Sequence, residues 1–327
     1  MMKKLIQVSQ FVLFAFIFAF QTVPAKASGG KILVVTSVAP ITNLIHNIGG
    51  SLIELHGIVP EGTDSHTFEP SPSDIKWISA GDLFILNGLN LETPTEKLIA
   101  AQKKKGSQIV KIGDRVITEK EWIYDFSFPK EHGDPNPHLW LNVEYAKKYA
   151  EVIRDELIKN DPSHQREYAE NARLLLIKLK QLDQAIFEVV GTIPVGNRKL
   201  VTYHDSWPYF AGRYGFTVIG AVQPSSFSEP SARDIASLID QLKQLQVPAI
   251  FGSEVFPSKV LNQIGREAGV KYVSTLRDDD LPGNPGSPEH TYIGMMLENM
   301  KNLAVPLGGK IDSLKKIDPS NVVSESK

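Results

Sequence analysis

Three histidines stand in separate polar turns: His66 in D-S-H-T-F-E-P, His138 in N-P-H-L-W-L and His204 in Y-H-D-S-W-P-Y-F, with an acidic triplet, Asp278 to Asp280, further on. Widely spaced imidazoles with one carboxylate are the donors from which a folded chain assembles a transition-metal site. Zinc takes four nitrogen, sulfur or oxygen ligands in a tetrahedron. A chain with Cys 0 must draw them from His, Asp and Glu. Each residue also has a plainer explanation. A lone loop histidine is ordinarily solvated or hydrogen-bonded, Asp64 can cap a turn, and an acidic run before Pro282-Gly283 is ordinarily a solvated turn. The joint placement of all four residues is what favours the metal reading.

That placement follows from the elements. From Lys31 to roughly Gly113, short β-branched runs alternate with helical patterns: K-I-L-V-V-T-S, I-T-N-L-I-H-N-I, L-I-E-L-H-G-I-V, S-D-I-K-W-I-S-A and D-L-F-I-L-N. Such alternation predicts a parallel sheet wrapped by helices. The rhythm restarts at K-L-V-T-Y and continues through F-T-V-I-G-A-V, S-A-R-D-I-A-S-L-I-D-Q-L-K-Q-L, P-A-I-F-G-S, K-V-L-N-Q-I-G-R-E-A and K-Y-V-S-T-L. Between the two stretches Tyr168, Leu175, Leu179, Leu182 and Ile186 form one apolar stripe at helical spacing. Asp161-Pro162-Ser163 supplies a start, with Ser163 as candidate cap. A helix of roughly 28 residues ending near Gly191 would be ~40 Å long. The fold class expected is therefore α/β, with two parallel-sheet lobes joined by one long backbone helix that limits motion between them.

In open α/β sheets ligands gather beyond the carboxyl ends of the strands. His66 follows the second strand, His204 follows K-L-V-T-Y, Asp279 follows K-Y-V-S-T-L, and His138 stands in a Pro-rich turn before a helix starting near Val143. Two ligands per lobe predict a site in the cleft between them. His46 in a helical pattern, His56 in a strand, His164 at a helix start and His290 before a final helix read as structural or surface residues. His132, in E-H-G-D-P-N-P-H, is a loop histidine near the cleft that could pass metal inward. Trp140, Trp207, Phe68 and Phe210 read as apolar packing that keeps water from the site.

The first residues combine Lys3 and Lys4, an apolar run from Phe11 to Phe20, and Ala25-Lys26-Ala27 before Ser28. This reads as a secretory signal peptide cleaved after Ala27, because the run falls short of the ~18 residues that span a bilayer. No cysteine is available to carry a lipid, so the expected place is a periplasm without a lipid anchor. The expected divisions are a signal peptide at 1–27, a first lobe at 28–162, the connecting helix at 163–191 and a second lobe at 192–327. Loss of Lys3, Lys4 and Lys26, with no acid among the first 27 residues, takes the formal charge from -2 to -5. A mildly acidic surface argues against nucleic acid and anionic membrane as partners. The tail after Ile317 is expected to fray.

The chain resembles the zinc/manganese solute-binding proteins of bacterial ABC importers, the cluster with a helical backbone between two α/β lobes. The resemblance covers essentially the whole mature chain. It rests on D-S-H-T-F-E-P with S-P-S-D-I, D-P-N-P-H-L-W-L-N, Y-H-D-S-W-P-Y-F-A-G-R-Y-G-F, G-S-E-V-F-P-S and P-E-H-T-Y-I-G-M-M. It implies His66, His138 and His204 as ligands, with the acid after the last strand of the second lobe as the fourth. Laid on T-L-R-D-D-D-L-P-G, the family pattern selects Asp279, although Arg277 and Asp278 stand where an aromatic and a hydroxyl are common. It also implies an ABC permease and its ATPase as partners, a monomeric receptor, and a metal carried as cargo. Zinc relatives often have a long His-rich loop before the second ligand, which this chain lacks, and manganese or iron relatives often have Glu at the position of His204. Three imidazoles and one carboxylate suit Zn2+ better than Mn2+, which prefers oxygen. The rival reading is a secreted zinc hydrolase, with water as fourth ligand and Glu69, Glu229 or Glu254 as general base. Against it, no H-E-x-x-H pattern occurs and Asp279 offers a fourth ligand.

Overall fold

The computed structural model describes residues 30–223, 225, 230–255 and 259–323. The leader expected at 1–27 and Glu229 lie outside the described residues. The first sheet contains β1 (Leu33–Thr36), β2 (Glu54–Gly57), β3 (Leu83–Leu86) and β4 (Gln108–Lys111), all parallel, in the order β2-β1-β3-β4. The second repeats that order with β5 (Lys199–Thr202), β6 (Thr217–Ala221), β7 (Ala249–Ser253) and β8 (Lys271–Leu276), as β6-β5-β7-β8. Seven of these strands coincide with the β-branched runs of the sequence. The exception is β4, a half-buried edge strand between lysines, whose composition gives little strand signal.

Around the sheets lie α1 (Ala39–Gly49), α2 (Ile75–Ala80), α3 (Thr93–Gln102), α4 (Ile112–Val116), α5 (Val143–Asn160), α6 (Gln165–Thr192), α7 (Pro208–Tyr214), α8 (Ala232–Leu245), α9 (Lys259–Ala268) and α10 (Tyr292–Ala304). The long helix α6 is 28 residues and buries the expected stripe of Tyr168, Leu175, Leu179, Leu182 and Ile186. Its start differs from expectation. Ser163 does not cap it; Pro162–His164 form a short 3-10 turn, and Asp161 accepts bonds from Ser163 Oγ, His164 Nδ1 and Tyr168 OH. The Asp161 carboxylate thus ties three side chains of the turn and first helical turn together without capping a backbone N–H.

The largest hydrophobic cluster runs without a break from β1 and β3 through α5, α6 and α7 to α10 and part of the second sheet. A smaller cluster, including Val201, Leu242, Ile250 and Leu261, fills the face of the second sheet under α8 and α9. Part of the second sheet thus shares the core of the first through the long helix.

The tail corrects the sequence reading. Residues 318–323 are strapped to the body and do not fray. Asn321 Oδ1 accepts from Asn43 Nδ2 (3.0 Å) and Asn47 Nδ2 (2.8 Å), and Val322 N donates to Asn47 Oδ1 (2.7 Å). Lys178 Nζ donates to Asp318 Oδ2 (2.8 Å) and Ser320 O, and Thr291 Oγ1 donates to Pro319 O (2.6 Å). A polar tail reads as loose from composition, but here it supplies acceptors that buried amides on α1 require.

Candidate metal centre

His66, His138 and His204 converge as the sequence placement predicts. Among the described residues they form one group whose ligand atoms all lie within 4.8 Å of one another. His66 Nε2 and His138 Nε2 are 3.1 Å apart. Two nitrogens bound to one tetrahedral zinc at 2.0–2.1 Å would stand about 3.3 Å apart, so this edge already has the size a metal needs. The imidazole centroids are 5.0 Å apart for His66 and His138, 4.7 Å for His66 and His204, and 5.0 Å for His138 and His204.

The turns hold the backbone at His66 and His138, and side-chain amides hold the rings of His138 and His204. Asp64 does cap the turn, accepting from His66 N (2.9 Å) and Thr67 Oγ1 (2.9 Å). Asn136 Oδ1 accepts from His138 N (3.0 Å) and pairs with His138 Nδ1 (2.9 Å). Its Nδ2 donates to Asp125 Oδ2 (2.7 Å) and Asp205 O (2.6 Å), which joins the two lobes behind the ring. Gln223 Oε1 pairs with His204 Nδ1 (3.1 Å). Carbonyl oxygens at Nδ1 place the proton there and turn the Nε2 lone pair toward the centre.

The electrostatics match. Burial pushes His66 down to about 3. Burial first, and then the His66 charge, push His204 down to about 4. His138 is lowered well below its usual value by burial and by the two neighbouring rings. At neutral pH all three are uncharged, as metal ligation requires.

The acidic triplet divides its carboxylates. Asp280 Oδ2 accepts from Gly62 N (2.7 Å) and Asp278 Oδ1 from Ser253 Oγ (3.1 Å). Asp279 Oδ2 accepts from Ser65 Oγ (2.7 Å), on the residue before His66, and its Oδ1 is buried without a hydrogen-bond partner. Burial, then Asp278, raise its proton affinity well above that of an ordinary carboxyl group. The three-ring group does not include Asp279; the carboxylate lies beside it, held by Ser65.

Trp140 packs 5.1 Å from His138 and donates from Nε1 to Asp278 O (2.7 Å). Trp207 and Phe210 are buried and pack edge to face on each other, and Phe68 is half-buried. The sequence reading missed Phe128, whose ring lies 5.3 Å from His66, 5.9 Å from His138 and 5.7 Å from His204. It also missed Asn136, Gln223 and Ser65. Asn136 had a local signal, an Asn two residues before a ligand in N-P-H, which is an Asx-turn pattern. Gln223 had none, because it reaches His204 from the end of a neighbouring strand. A cavity of about 190 Å³ beside the rings is lined by His66, Phe128, His132 and Asp134 among others. His46, His56 and His164 lie in α1, β2 and at the α6 start, as read from sequence, and His290 pairs with Glu61 (3.4 Å).

Two parallel-sheet lobes on a long helix, with neutral imidazoles contributed by both, define a bilobal binding protein for a metal ion. Residues 34–305 match the family described as ZnuA, zinc-uptake complex component A, periplasmic. The manganese-binding lipoprotein MntA of Halalkalibacterium halodurans is 31% identical over 273 residues, covering 83% of this chain and 87% of that one. The iron-binding protein YfeA of Yersinia pestis is 30% identical over 278 residues, covering 85% and 87%. The solved periplasmic zinc-binding protein TroA of Treponema pallidum superimposes with a TM-score of 0.78 at 28% identity, covering 85% of this chain and all of that one. The chain belongs to the ZnuA family of metal substrate-binding proteins of ABC importers, a receptor family and not a hydrolase family. The zinc-hydrolase alternative falls with that membership. Its candidate bases agree, since Glu69 is exposed and Glu254 is occupied by backbone N–H groups. MntA is named a lipoprotein, whereas this sequence contains Cys 0. Among the described residues no helix is long and apolar enough to cross a membrane.

Proposed function

We propose that this protein captures Zn2+ as cargo with His66, His138, His204 and Asp279, and surrenders it to an ABC permease driven by its ATPase. The observation that carries the reading is the 3.1 Å approach of two imidazole Nε2 atoms, with a third ring from the other lobe beside them. Each of the three acids gives one oxygen to a neighbour, Asp278 to Ser253, Asp279 to Ser65 and Asp280 to Gly62, and what supports Asp279 as the fourth ligand is that its other oxygen, Oδ1, is buried without a partner. Relatives carry names that specify manganese, iron or zinc, so membership alone is compatible with each. The donor set of three imidazoles and one carboxylate supports zinc over Mn2+. Four protein ligands fill a tetrahedron and leave no position for an activated water. Release follows when the permease draws His204 and Asp279 away from His66 and His138. We take the receptor to be a monomer in a periplasm, with lobes at 28–162 and 192–327 and the connecting helix at 163–191 between them.

The test is a competition titration of the metal-stripped protein, with bound zinc and manganese counted by elemental analysis after dialysis against both, alongside Asp279→Ala. One tightly held zinc per chain, weakened in the variant, is expected. Manganese retained against comparable free zinc would overturn the cargo assignment, and no stoichiometric metal would overturn the site.

A further inference from the structure

The acidic turn carries three successive carboxylates, two of them buried, and each gives an oxygen to a different neighbour. Something must fix the turn's backbone against the mutual repulsion of those groups. Glu254, the residue after β7, does so. Its Oε1 accepts from the N–H groups of Asp278 (3.0 Å), Asp279 (3.1 Å) and Asp280 (2.9 Å). Three successive N–H groups aimed at one point form an anion-binding nest of the kind that elsewhere cradles phosphate. Here the acceptor is a carboxyl oxygen from the chain itself. Glu254 is anchored in turn: its N–H donates to Leu276 O (3.1 Å), and its Oε2 lies 3.2 Å from Ser253 Oγ, which also reaches Asp278 Oδ1 at 3.1 Å.

We propose that Glu254 is the positioning residue that presents Asp279 to the metal, gripping the acidic turn through three successive backbone N–H groups. The inference rests on the reading of Asp279 as a ligand. The geometry explains why one aspartate of three is selected. With the backbone of 278–280 gathered on Glu254, Asp278 is directed to Ser253 and Asp280 to Gly62 N, which leaves Asp279 to point at Ser65 beside His66. Without the grip, three N–H groups in a buried turn lose their acceptor, the turn re-forms around other partners, and the choice of carboxylate is lost. Glu254 therefore acts through Asp279 and touches no metal.

The experiment is a double-mutant cycle read as zinc affinity by chelator competition, using the purified protein, Glu254→Ala, Asp279→Ala and the combined variant, with Glu254→Gln as the conservative form. Glu254→Ala is expected to weaken zinc binding by about 10–100-fold, the usual effect of removing a group that orients a ligand. Glu254→Gln keeps an oxygen acceptor and should retain most of the affinity. In the Asp279→Ala background, Glu254→Ala should cost nothing further, because residues that act as a unit are non-additive. Wild-type affinity in Glu254→Ala, or an equal loss in both backgrounds, would overturn the proposal. Wild-type affinity in Asp279→Ala would overturn the ligand assignment itself, and is read separately from the single variant. Thermal unfolding without metal establishes that each variant is folded. Glu254→Met, which fills the volume without an acceptor, replaces Glu254→Ala if the smaller side chain costs the fold.

Discussion

Gln223→Met should weaken metal binding although Gln223 is no ligand. His204 is 2% exposed, and its Nδ1 pairs with Gln223 Oε1 at 3.1 Å. A metal on Nε2 forces the proton onto Nδ1, where the variant offers no acceptor. A buried donor left unsatisfied costs about 1–3 kcal/mol. Without metal the ring escapes much of that cost by moving its proton to the other nitrogen, so the penalty falls on the bound state. The expected loss is about 10–100-fold in affinity, or about 1.4–2.7 kcal/mol. A ligand stabilises the folded state in proportion to the logarithm of one plus the ratio of its free concentration to its Kd. With zinc well above both Kd values, the metal-induced rise in Tm should therefore be on the order of 2–4 °C smaller in the variant, at about 1.6 °C per kcal/mol for a chain of about 300 residues. Thermal unfolding with and without zinc, paired with chelator competition, measures both quantities. An unchanged affinity together with an unchanged metal-induced rise would refute the claim that Gln223 fixes the His204 tautomer.

Other consequences are equally direct. His66 is held at about 3 by burial, against 6.5 for an unburied ring, so the folded state refuses a proton that the unfolded chain accepts. Its contribution to stability is complete above pH 6.5 and is lost progressively as pH falls toward 3. His66→Gln should consequently flatten the acid loss of metal-free stability, by about 2 kcal/mol between pH 7 and pH 5 in urea unfolding; an unaltered slope would contradict the buried neutral ring. Truncation after Ile317 removes the Asn321 acceptor of Asn43 Nδ2, while Asn47 Nδ2 keeps Asn43 O and Oδ1, and should destabilise the chain by about 1–3 kcal/mol while leaving zinc affinity intact. An unmoved urea midpoint would mean the strap is incidental. His132→Ala should slow zinc capture in stopped-flow without altering equilibrium affinity, because His132 lines the cavity that reaches His66. Unchanged capture kinetics would count against that role.

The sequence made legible whatever is decided locally. Strands of β-branched residues, the apolar stripe of α6 and the polar turns around His66, His138 and His204 all depend on neighbours within a few positions, and the structure has them at the expected places. The approach of His66 and His204 also followed, because the loops after parallel strands open on one edge, whereas His138 reaches them from a Pro-rich turn that follows no strand. What was not legible depends on partners far apart in the chain. Glu254 seemed a candidate base from its loop position, yet its carboxylate meets backbone more than twenty residues on, as the separations of 24 to 26 residues record. Phe128 sits in a loop whose path no periodicity specifies. The tail was misread because polarity predicts fraying only where no buried group requires the polar atoms.

The strap also bears on when the molecule can finish folding. Asn321 closes on Asn43 across 278 residues of sequence, and Tyr292 of α10 closes on Asn43 and on Trp140 O. The first sheet and the α5 and α6 partners of α1 are made earlier, but Asn43 and Asn47 of α1 lack these hydrogen-bond partners until residues 292 and 321–322 arrive. Contacts of such separation, joined to parallel strands, slow folding. A nascent chain emerging from its first residue onward therefore holds no completed first lobe until synthesis is almost over. For the exported receptor proposed above, that postponement leaves completion of the first lobe to the segment made last.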